Sequence, residues 1–119
     1  MQKYVCLETA KKLKEAGFEV KTEKFYSLAG MLNNGVSCQE TTLMKYTAPD
    51  IPELLEVLPF SIKKANILPC YLNFGKRQQG YFIEYYNAIE NGVWLKKIEN
   101  KELVEALAEM AIWLNKRGV

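Results

Sequence analysis

The stretch Ile67–Ile98, ILPCYLNFGKRQQGYFIEYYNAIENGVWLKKI, decides the fold class of this 119-residue chain. Its apolar residues recur at every second position, which is the period of a β-strand with one buried face. The alternating residues are Leu68, Cys70, Leu72 and Phe74 in a first strand and Tyr81, Ile83 and Tyr85 in a second. The connections GKRQQG and Asn91-Gly92 are typical of turns, and VWLKKI supplies a third strand. The stretch therefore predicts a three-stranded antiparallel meander.

The segment that follows, ENKELVEALAEMAIWLNKRG, predicts the longest helix of the chain. Asn100 is a suitable N-cap, and Glu102 lies in the first turn, where a negative charge is favourable. Lys116 and Arg117 stand in the last turn, and Gly118 follows them as helix ends favour. We therefore expect a helix that begins directly after Asn100.

The apolar surface of this helix is unusually wide. Ten of the twelve residues from Leu103 to Leu114 are apolar, and the exceptions are Glu105 and Glu109. These two carboxylates are one turn apart, and we interpret them as the polar strip of the helix rather than as an acid/base pair. The wide apolar surface predicts packing against the other helices or, as the alternative, against a second copy of the chain with Trp113 as the anchor.

Two shorter helices are predicted in the N-terminal half. In LETAKKL the apolar residues recur at helical spacing, and Gly17 follows as a left-handed cap, so a helix is expected near residues 6–16. Asp50 and Glu53 have the spacing of a capping box at the start of an apolar run. This second signal predicts a helix near residues 51–58.

A β-hairpin is predicted between these two helices. Phe25-Tyr26 and the run Thr41–Tyr46 suit strands, and Asn33-Asn34-Gly35 suits the turn between them. The resulting order is helix, hairpin, helix, three strands, helix. It is that of an α+β fold in which about three helices pack on an antiparallel sheet. The length predicts one domain over residues 1–119.

The composition argues against most catalytic sites. The sequence contains no histidine, which excludes histidine-dependent triads and histidine-containing zinc sites. Cys6, Cys38 and Cys70 form no CxxC pair, and their odd number predicts free, reduced thiols. The seven glycines form neither GxGxxG nor a P-loop. We therefore predict a protein that is not an enzyme, with no catalytic residue, no metal and no cofactor.

The aromatic strands suggest a second kind of site. The 16 basic and 14 acidic residues are mixed along the chain, so overall charge points to no partner. Tyrosines in strands could nevertheless stack on the bases of single-stranded nucleic acid beside basic residues, although aromatic residues also favour strands for packing alone. The candidate nucleic-acid-binding residues are Lys76, Arg77, Tyr81, Tyr85, Lys96 and Lys97.

The N-terminal stretch MQKYVCLETAKKLKEAGF carries lysines inside its periodic pattern. It therefore resembles neither a signal peptide nor a membrane span. A cytoplasmic location and no membrane partner are expected.

Four segments together resemble a group of small uncharacterised proteins encoded in bacteriophages and integrated elements of gut bacteria. They are YVCLETAKKLKEAGF, the pair Phe25-Tyr26, KYTAPDIPELLEVLP and ELVEALAEMAIWLNKRG. The resemblance covers most of the chain and implies a setting but no mechanism. Strands followed by an EALAE-type helix are also similar to HicB-like antitoxin domains, which neutralise an RNA-cleaving toxin, over the C-terminal half alone.

These observations favour a non-enzymatic binding or accessory protein of phage or mobile-element origin. Its expected partner is another protein, or a second copy of the chain in a homodimer. The alternatives are a nucleic-acid-binding module that uses an aromatic sheet face and a HicB-like antitoxin-type domain.

Overall fold

The computed structural model describes residues 2–18, 22, 24–26, 32–34, 46–63, 69–87 and 93–117. Within these ranges the chain forms three helices and seven strands, which confirms the predicted α+β class. In chain order they are α1 (Leu7–Glu15), β1 (Lys24–Tyr26), β2 (Leu32–Asn34), β3 (Tyr46–Thr47), α2 (Ile51–Val57), β4 (Ser61–Ile62), β5 (Cys70–Arg77), β6 (Gly80–Asn87), β7 (Val93–Asn100) and α3 (Leu103–Lys116).

The strands form two antiparallel sheets, in the orders β2-β1-β3 and β4-β5-β6-β7. The second sheet contains the predicted meander and one strand more than the sequence predicts. The additional strand, β4, pairs Ser61 with Tyr71 and Ile62 with Cys70. Two residues are too few to show a period of two, so the sequence carries no signal for this strand.

The turn between β5 and β6 is shorter than GKRQQG suggests. The ladder continues to the pair Arg77 and Gly80, and the turn consists of Gln78 and Gln79. Two residues are enough to join antiparallel strands, so the remainder of the segment stays paired. Gly80 has a φ of 149°, and a Cβ there would lie 2.7 Å from the carbonyl oxygen of Asn100, so this position requires glycine.

The N-terminal strands form a three-stranded sheet instead of the predicted hairpin. Asn33 and Asn34 lie in β2, where they pair with β1, instead of forming the turn. Cross-strand pairing overrides the local turn preference of asparagine at these two positions. Of the predicted strand Thr41–Tyr46, Tyr46 begins β3 and pairs with Tyr26, and the rest lies outside the described residues, as does Gly35.

Helix α3 is the centre of the hydrophobic core. It lies on one face of the four-stranded sheet, against β6 and β7, and it also contacts α1 and α2. Leu107 of α3 is buried together with Ile83 of β6, Leu13 of α1 and Leu54 of α2. Of the helices that the structure describes, none has the length and apolar character needed to cross a membrane.

The ends of α1 and α2 follow their sequence signals. Gly17, after α1, has a φ of 76°, the left-handed conformation expected of a cap. At the start of α2 the capping box is complete: the Glu53 backbone N–H donates to Asp50 Oδ1, and the Asp50 backbone N–H donates to Glu53 Oε1, both at 3.0 Å. These two ends are set by residues within a few positions of each other.

The start of α3 differs from the prediction. Asn100 is the last residue of β7, and the helix begins at Leu103 with Glu102 in the N-cap position. The Asn100 side chain still acts locally, because its Oδ1 accepts a hydrogen bond from the Glu102 backbone N–H at 3.0 Å. Asn100 therefore orders the strand-to-helix connection instead of capping the helix.

Candidate functional site

The inner face of the four-stranded sheet, which faces α3, belongs to the core. Alternate residues of β6 point to opposite faces, and Ile83 and Tyr85 are fully buried on the inner one. The Tyr85 hydroxyl donates a hydrogen bond to the carbonyl oxygen of Pro59 at 2.7 Å. Burial raises the pKa of Tyr85 well above its ordinary value. Tyr85 is therefore a core residue whose hydroxyl is already bonded.

The six residues that the sequence suggests for nucleic-acid binding are divided between the two faces. Cross-strand pairs share a face, and Lys76 pairs with Tyr81 while Lys96 pairs with Tyr85. The Lys96 ammonium lies 5.9 Å from the centroid of the Trp113 ring on α3, as expected of the inner face. The inner-face residues are Lys76, Tyr81, Tyr85 and Lys96, and the outer-face residues are Arg77 and Lys97. The structure thus does not bring the six together on one surface.

On the outer face Phe82 packs over a glycine. Gly75 is its cross-strand partner, and a Cβ at Gly75 would lie 2.9 Å from Phe82 Cε1. The guanidinium carbon of Arg77 lies 4.6 Å from the centroid of the Phe82 ring. The ring is therefore held between the glycine backbone and a cation.

The charges of the outer face balance one another. Glu84 is only 6% exposed and accepts a hydrogen bond from Asn73 Nδ2 at 3.0 Å. Lys97 is the cross-strand partner of Glu84 and lies 3.6 Å from the Glu99 carboxylate. With Arg77, two cations stand beside two carboxylates among the described residues of this face, so it offers little net attraction for phosphates.

Three exposed aromatic residues gather at the β4–β5 side of the sheet, and we call them the aromatic edge. Phe60 is 77% exposed, Tyr71 46% and Phe74 41%. The Phe60 and Tyr71 rings meet edge to face, with 5.8 Å between their centroids and 66° between their planes. Three large apolar side chains are thus left in solvent within a short segment.

The same side of the sheet is incompletely paired. Strand β5 pairs with β6 along its whole length, whereas β4 pairs only with Cys70 and Tyr71 and reaches Leu72 through one further backbone hydrogen bond. In the part of the chain that the structure describes, no strand pairs with the outer side of Asn73–Arg77. This segment therefore presents an open β edge.

An open cleft of about 660 Å³ adjoins the far end of this edge. Arg77 and Tyr81 line it together with Asn100 and Lys101, where the end of β7 meets the β5–β6 turn. Arg77 thus contributes to both the cleft and the β edge.

A second polar centre surrounds Glu105. Its carboxylate accepts hydrogen bonds from Gln2 Nε2 at 2.9 Å, from the Cys6 backbone N–H at 3.1 Å and from the hydroxyl of Thr9. The neighbouring Glu102 accepts the Gln2 backbone N–H at 2.8 Å. Glu105 is therefore a tie between α3 and the start of α1, a role that the polar-strip interpretation missed because its partners are about a hundred residues distant in sequence.

The described surroundings of Cys6 do not activate its thiol. Cys6 is exposed, Cys70 is buried, and Cys38 lies outside the described residues. Cys6 Sγ lies 3.1 Å from Glu105 Oε1, and a carboxylate is not the cationic neighbour that thiolate chemistry needs. Their reduced state stays a prediction, which thiol titration can test.

Two members of the aromatic edge could not be identified from the sequence. Phe74 has the same strand period as the half-buried Leu72, which predicts burial, but it lies beyond the end of β4 at the open edge. Phe60 precedes a strand of two residues that has no periodic signal. Their exposure follows from where β4 ends, which only the fold shows.

Comparisons of the chain with protein-family models, with curated proteins and with solved structures found no match.

Proposed function

We propose that the protein is a non-enzymatic binding or accessory protein that engages a protein partner through the aromatic edge. One observation carries this: among the described residues, the four exposed large hydrophobic side chains all lie between the end of α2 and the middle of β5. They are Val57, Phe60, Tyr71 and Phe74. Of these, Phe60 and Tyr71 are in contact, and adjoining exposed apolar side chains on a small protein are typical of an interaction site.

The state of the partly buried carboxylates supports a role without catalysis. Asp50 is bonded within the capping box and to Lys24 at 3.2 Å, and Glu105 holds the start of α1. Glu84 accepts a hydrogen bond from Asn73. These groups stabilise the fold, and the sequence supplies no histidine to act beside them.

The proposal includes a setting. A phage or mobile-element origin rests on the sequence resemblance, and a cytoplasmic location rests on the N-terminal stretch, whose lysines are unlike a signal peptide or a membrane span. A HicB-like antitoxin role belongs to the same class of function, because such a domain also acts by binding a protein.

Selection from a random peptide library displayed on phage tests the proposal. The chain as it stands is the bait, and the double variant Phe60→Ser/Tyr71→Ser is the comparison, because both side chains are exposed and their loss should leave the fold intact. We expect selected peptides to bind the unmodified protein and to lose at least about tenfold in affinity for the double variant, since exposed aromatic anchors dominate binding energy.

The matched control is Glu8→Ser/Lys12→Ser, which changes two exposed residues of α1 on another part of the surface. It should bind the selected peptides as the unmodified protein does. Equal binding to the aromatic-edge variant, or no selected peptide at all, would contradict the proposal.

A nucleic-acid-binding role is the second candidate, and the exposed guanidinium of Arg77, a group on which a base can stack, favours it. Fluorescence anisotropy with single-stranded oligonucleotides at several salt concentrations tests it. Binding that weakens steeply with salt and is lost in Arg77→Ala/Lys97→Ala would support this candidate over the first.

A further inference from the structure

The backbone of the β5 edge has a defined pattern of free groups. The Leu72 N–H points away from β6, because it donates to the carbonyl oxygen of Phe60 at 2.9 Å. Backbone groups of successive residues in a strand point to alternate sides, so those of Phe74 and Lys76 also point away from β6. Nothing in the described part of the chain bonds to these two N–H and two C=O groups. They form a short template for one more strand.

The far end of this template is cationic. Lys76 and Arg77 end β5, and the segment Cys70–Arg77 contains no aspartate or glutamate. At the near end the Glu84 carboxylate of β6 is bonded to Asn73. Lys76 and Arg77 are exposed, and neither forms an ion pair with a residue that the structure describes.

The side chains at the template suit an extended polypeptide. Tyr71 and Phe74 point to opposite faces of the sheet, since they are three positions apart in a strand, and both are exposed beside the edge. A strand that pairs with β5 places its own alternate side chains on the same two faces. A nucleic acid has no alternating backbone donors and acceptors to match the free groups of Phe74 and Lys76.

We propose that Asn73–Arg77 binds an extended acidic segment of a partner protein as an added β-strand in the sheet. This rests on the proposed function and specifies its chemistry: backbone pairing at Phe74 and Lys76, and carboxylates of the partner beside Lys76 and Arg77. Lysine at a strand edge also discourages pairing between copies of one chain, because like charges then meet. The same cations that disfavour a second copy attract an acidic strand.

The test uses three synthetic heptapeptides with alternating valine: one with glutamate, one with lysine, and the glutamate peptide N-methylated at every second residue. The last keeps the side chains and removes the backbone donors. Hydrogen exchange of individual amides is followed by NMR. In the free protein the Phe74 and Lys76 amides should exchange rapidly, while those of Asn73 and Gly75, which face β6, are protected.

The glutamate peptide should slow exchange at Phe74 and Lys76 by about tenfold or more at saturation, and its affinity should fall with salt. The lysine and N-methylated peptides should give no protection. Protection by the lysine peptide as well would contradict the choice of an acidic partner, and unchanged exchange with the glutamate peptide would overturn the proposal.

Two variants at one position separate charge from backbone pairing. Lys76→Ala removes the cation and keeps the N–H, whereas Lys76→Pro removes both, and proline is tolerated where the N–H does not face a neighbouring strand. The alanine variant should bind the glutamate peptide a few-fold more weakly, and the proline variant about tenfold more weakly still. Equal affinity of the two would contradict backbone pairing; if the proline variant does not fold, the N-methylated peptide decides.

The two proposals can fail separately. Library-selected peptides that depend on Phe60 and Tyr71 but leave the Phe74 and Lys76 amides unprotected would overturn strand addition while the proposed function stands. Absence of any peptide binding would overturn both. Oligonucleotides that displace the bound glutamate peptide would overturn the assignment of this edge to a protein partner.

Discussion

Helices α2 and α3 are held in opposite ways. The start of α2 is fixed by Asp50 and Glu53, which lie three positions apart and bond each other in both directions. The N-cap of α3, Glu102, makes no capping hydrogen bond through its side chain. Instead, Glu105 in its first turn bonds residues at the other end of the chain. The start of α2 is thus held by local contacts, and the start of α3 by contacts with a distant segment.

This difference matches how deeply each helix is buried. In α2 one of the seven residues, Leu54, is buried, whereas in α3 eight of the fourteen residues are buried. A helix surrounded by α1, α2 and the sheet needs no strong cap of its own, because its packing supplies most of its stability. Perturbing α3 should therefore affect the whole domain, and perturbing α2 should have a smaller and more local effect.

The largest expected effect comes from Leu107→Ala. Leu107 is fully buried at the centre of α3, so its truncation leaves a cavity and should lower the free energy of unfolding by about 2–5 kcal/mol. Urea unfolding followed by circular dichroism measures this. Ile112→Ala on the same helix is the control, since Ile112 is only half-buried and should lose clearly less. Equal losses would mean that α3 is not the centre of the core.

A smaller loss is expected from Glu105→Ala. The substitution leaves the Cys6 N–H and the Gln2 amide without their acceptor and should cost about 1–3 kcal/mol. Glu109→Ala, one turn later, removes an exposed carboxylate that accepts one hydrogen bond from Asn100 and should cost less.

The local readout for Glu105 is the rate at which Cys6 reacts with a thiol reagent. Because Glu105 holds the thiol and the adjoining backbone, Glu105→Ala should speed the reaction of Cys6 while the buried Cys70 stays slow. If Cys6 reacts at the same rate in both proteins, the tie between α1 and α3 does not hold the N-terminal segment.

For α2 the corresponding change is Asp50→Ala, with an expected cost of about 1–2 kcal/mol for a lost N-cap. Asp50→Asn separates the two roles of the carboxylate, since asparagine is a good N-cap but carries no charge for Lys24. The asparagine variant should therefore lose less than the alanine variant in urea unfolding at neutral pH. Equal losses in the two variants would show that the ion pair, not the cap, dominates.

Acid dependence sharpens this test. Partial burial acts to raise the pKa of Asp50, but the Glu53 backbone N–H and the Lys24 ammonium outweigh it and hold that pKa below its ordinary value of 3.8. At Lys24, burial acts to lower the pKa. The hydrogen bond to Asp50 and the charge of Asp50 outweigh burial, so the pKa of Lys24 is raised above its ordinary value. The Asp50 contribution is therefore complete well above pH 3.8 and is lost as the pH falls from there through the lower folded-state pKa. Between neutral pH and about pH 3 the unmodified protein should lose more stability than Asp50→Asn.

The contrast between α2 and α3 also describes what the sequence can predict. The α+β class, Gly17 as a left-handed cap, the Asp50–Glu53 box and the three strands of the meander were predictable, because each depends on residues a few positions apart. The two-residue strand β4 and the roles of Asn100 and Glu105 were not, because they depend on contacts between distant segments.

The candidate site was less predictable than the fold. Alternation shows that Tyr81 and Tyr85 share a face, but not that this face is the buried one, since Phe82 and Tyr86 alternate equally well. Helix α3 decides which face is buried, because it packs on that face. The exposure of Phe60 and Phe74 likewise depends on the length of β4, which no local pattern encodes.

The smallest expected effect comes from Trp113→Glu, which tests whether α3 also serves self-association. The apolar surface of α3 meets α1, α2 and the sheet within one chain, which favours the internal alternative. The Trp113 ring is half-buried and lies 5.9 Å from the Lys96 ammonium and 5.0 Å from the Arg117 guanidinium carbon. A glutamate would meet the same two cations, so we expect a folded protein that is about 0.5–1 kcal/mol less stable.

Light scattering at high micromolar concentration should then give a monomer for the unmodified protein, for Trp113→Glu and for the exposed-site control Lys116→Glu. A dimer that Trp113→Glu alone converts to a folded monomer would instead identify this ring as an interface anchor, and α3 would then be both a core helix and a contact between copies.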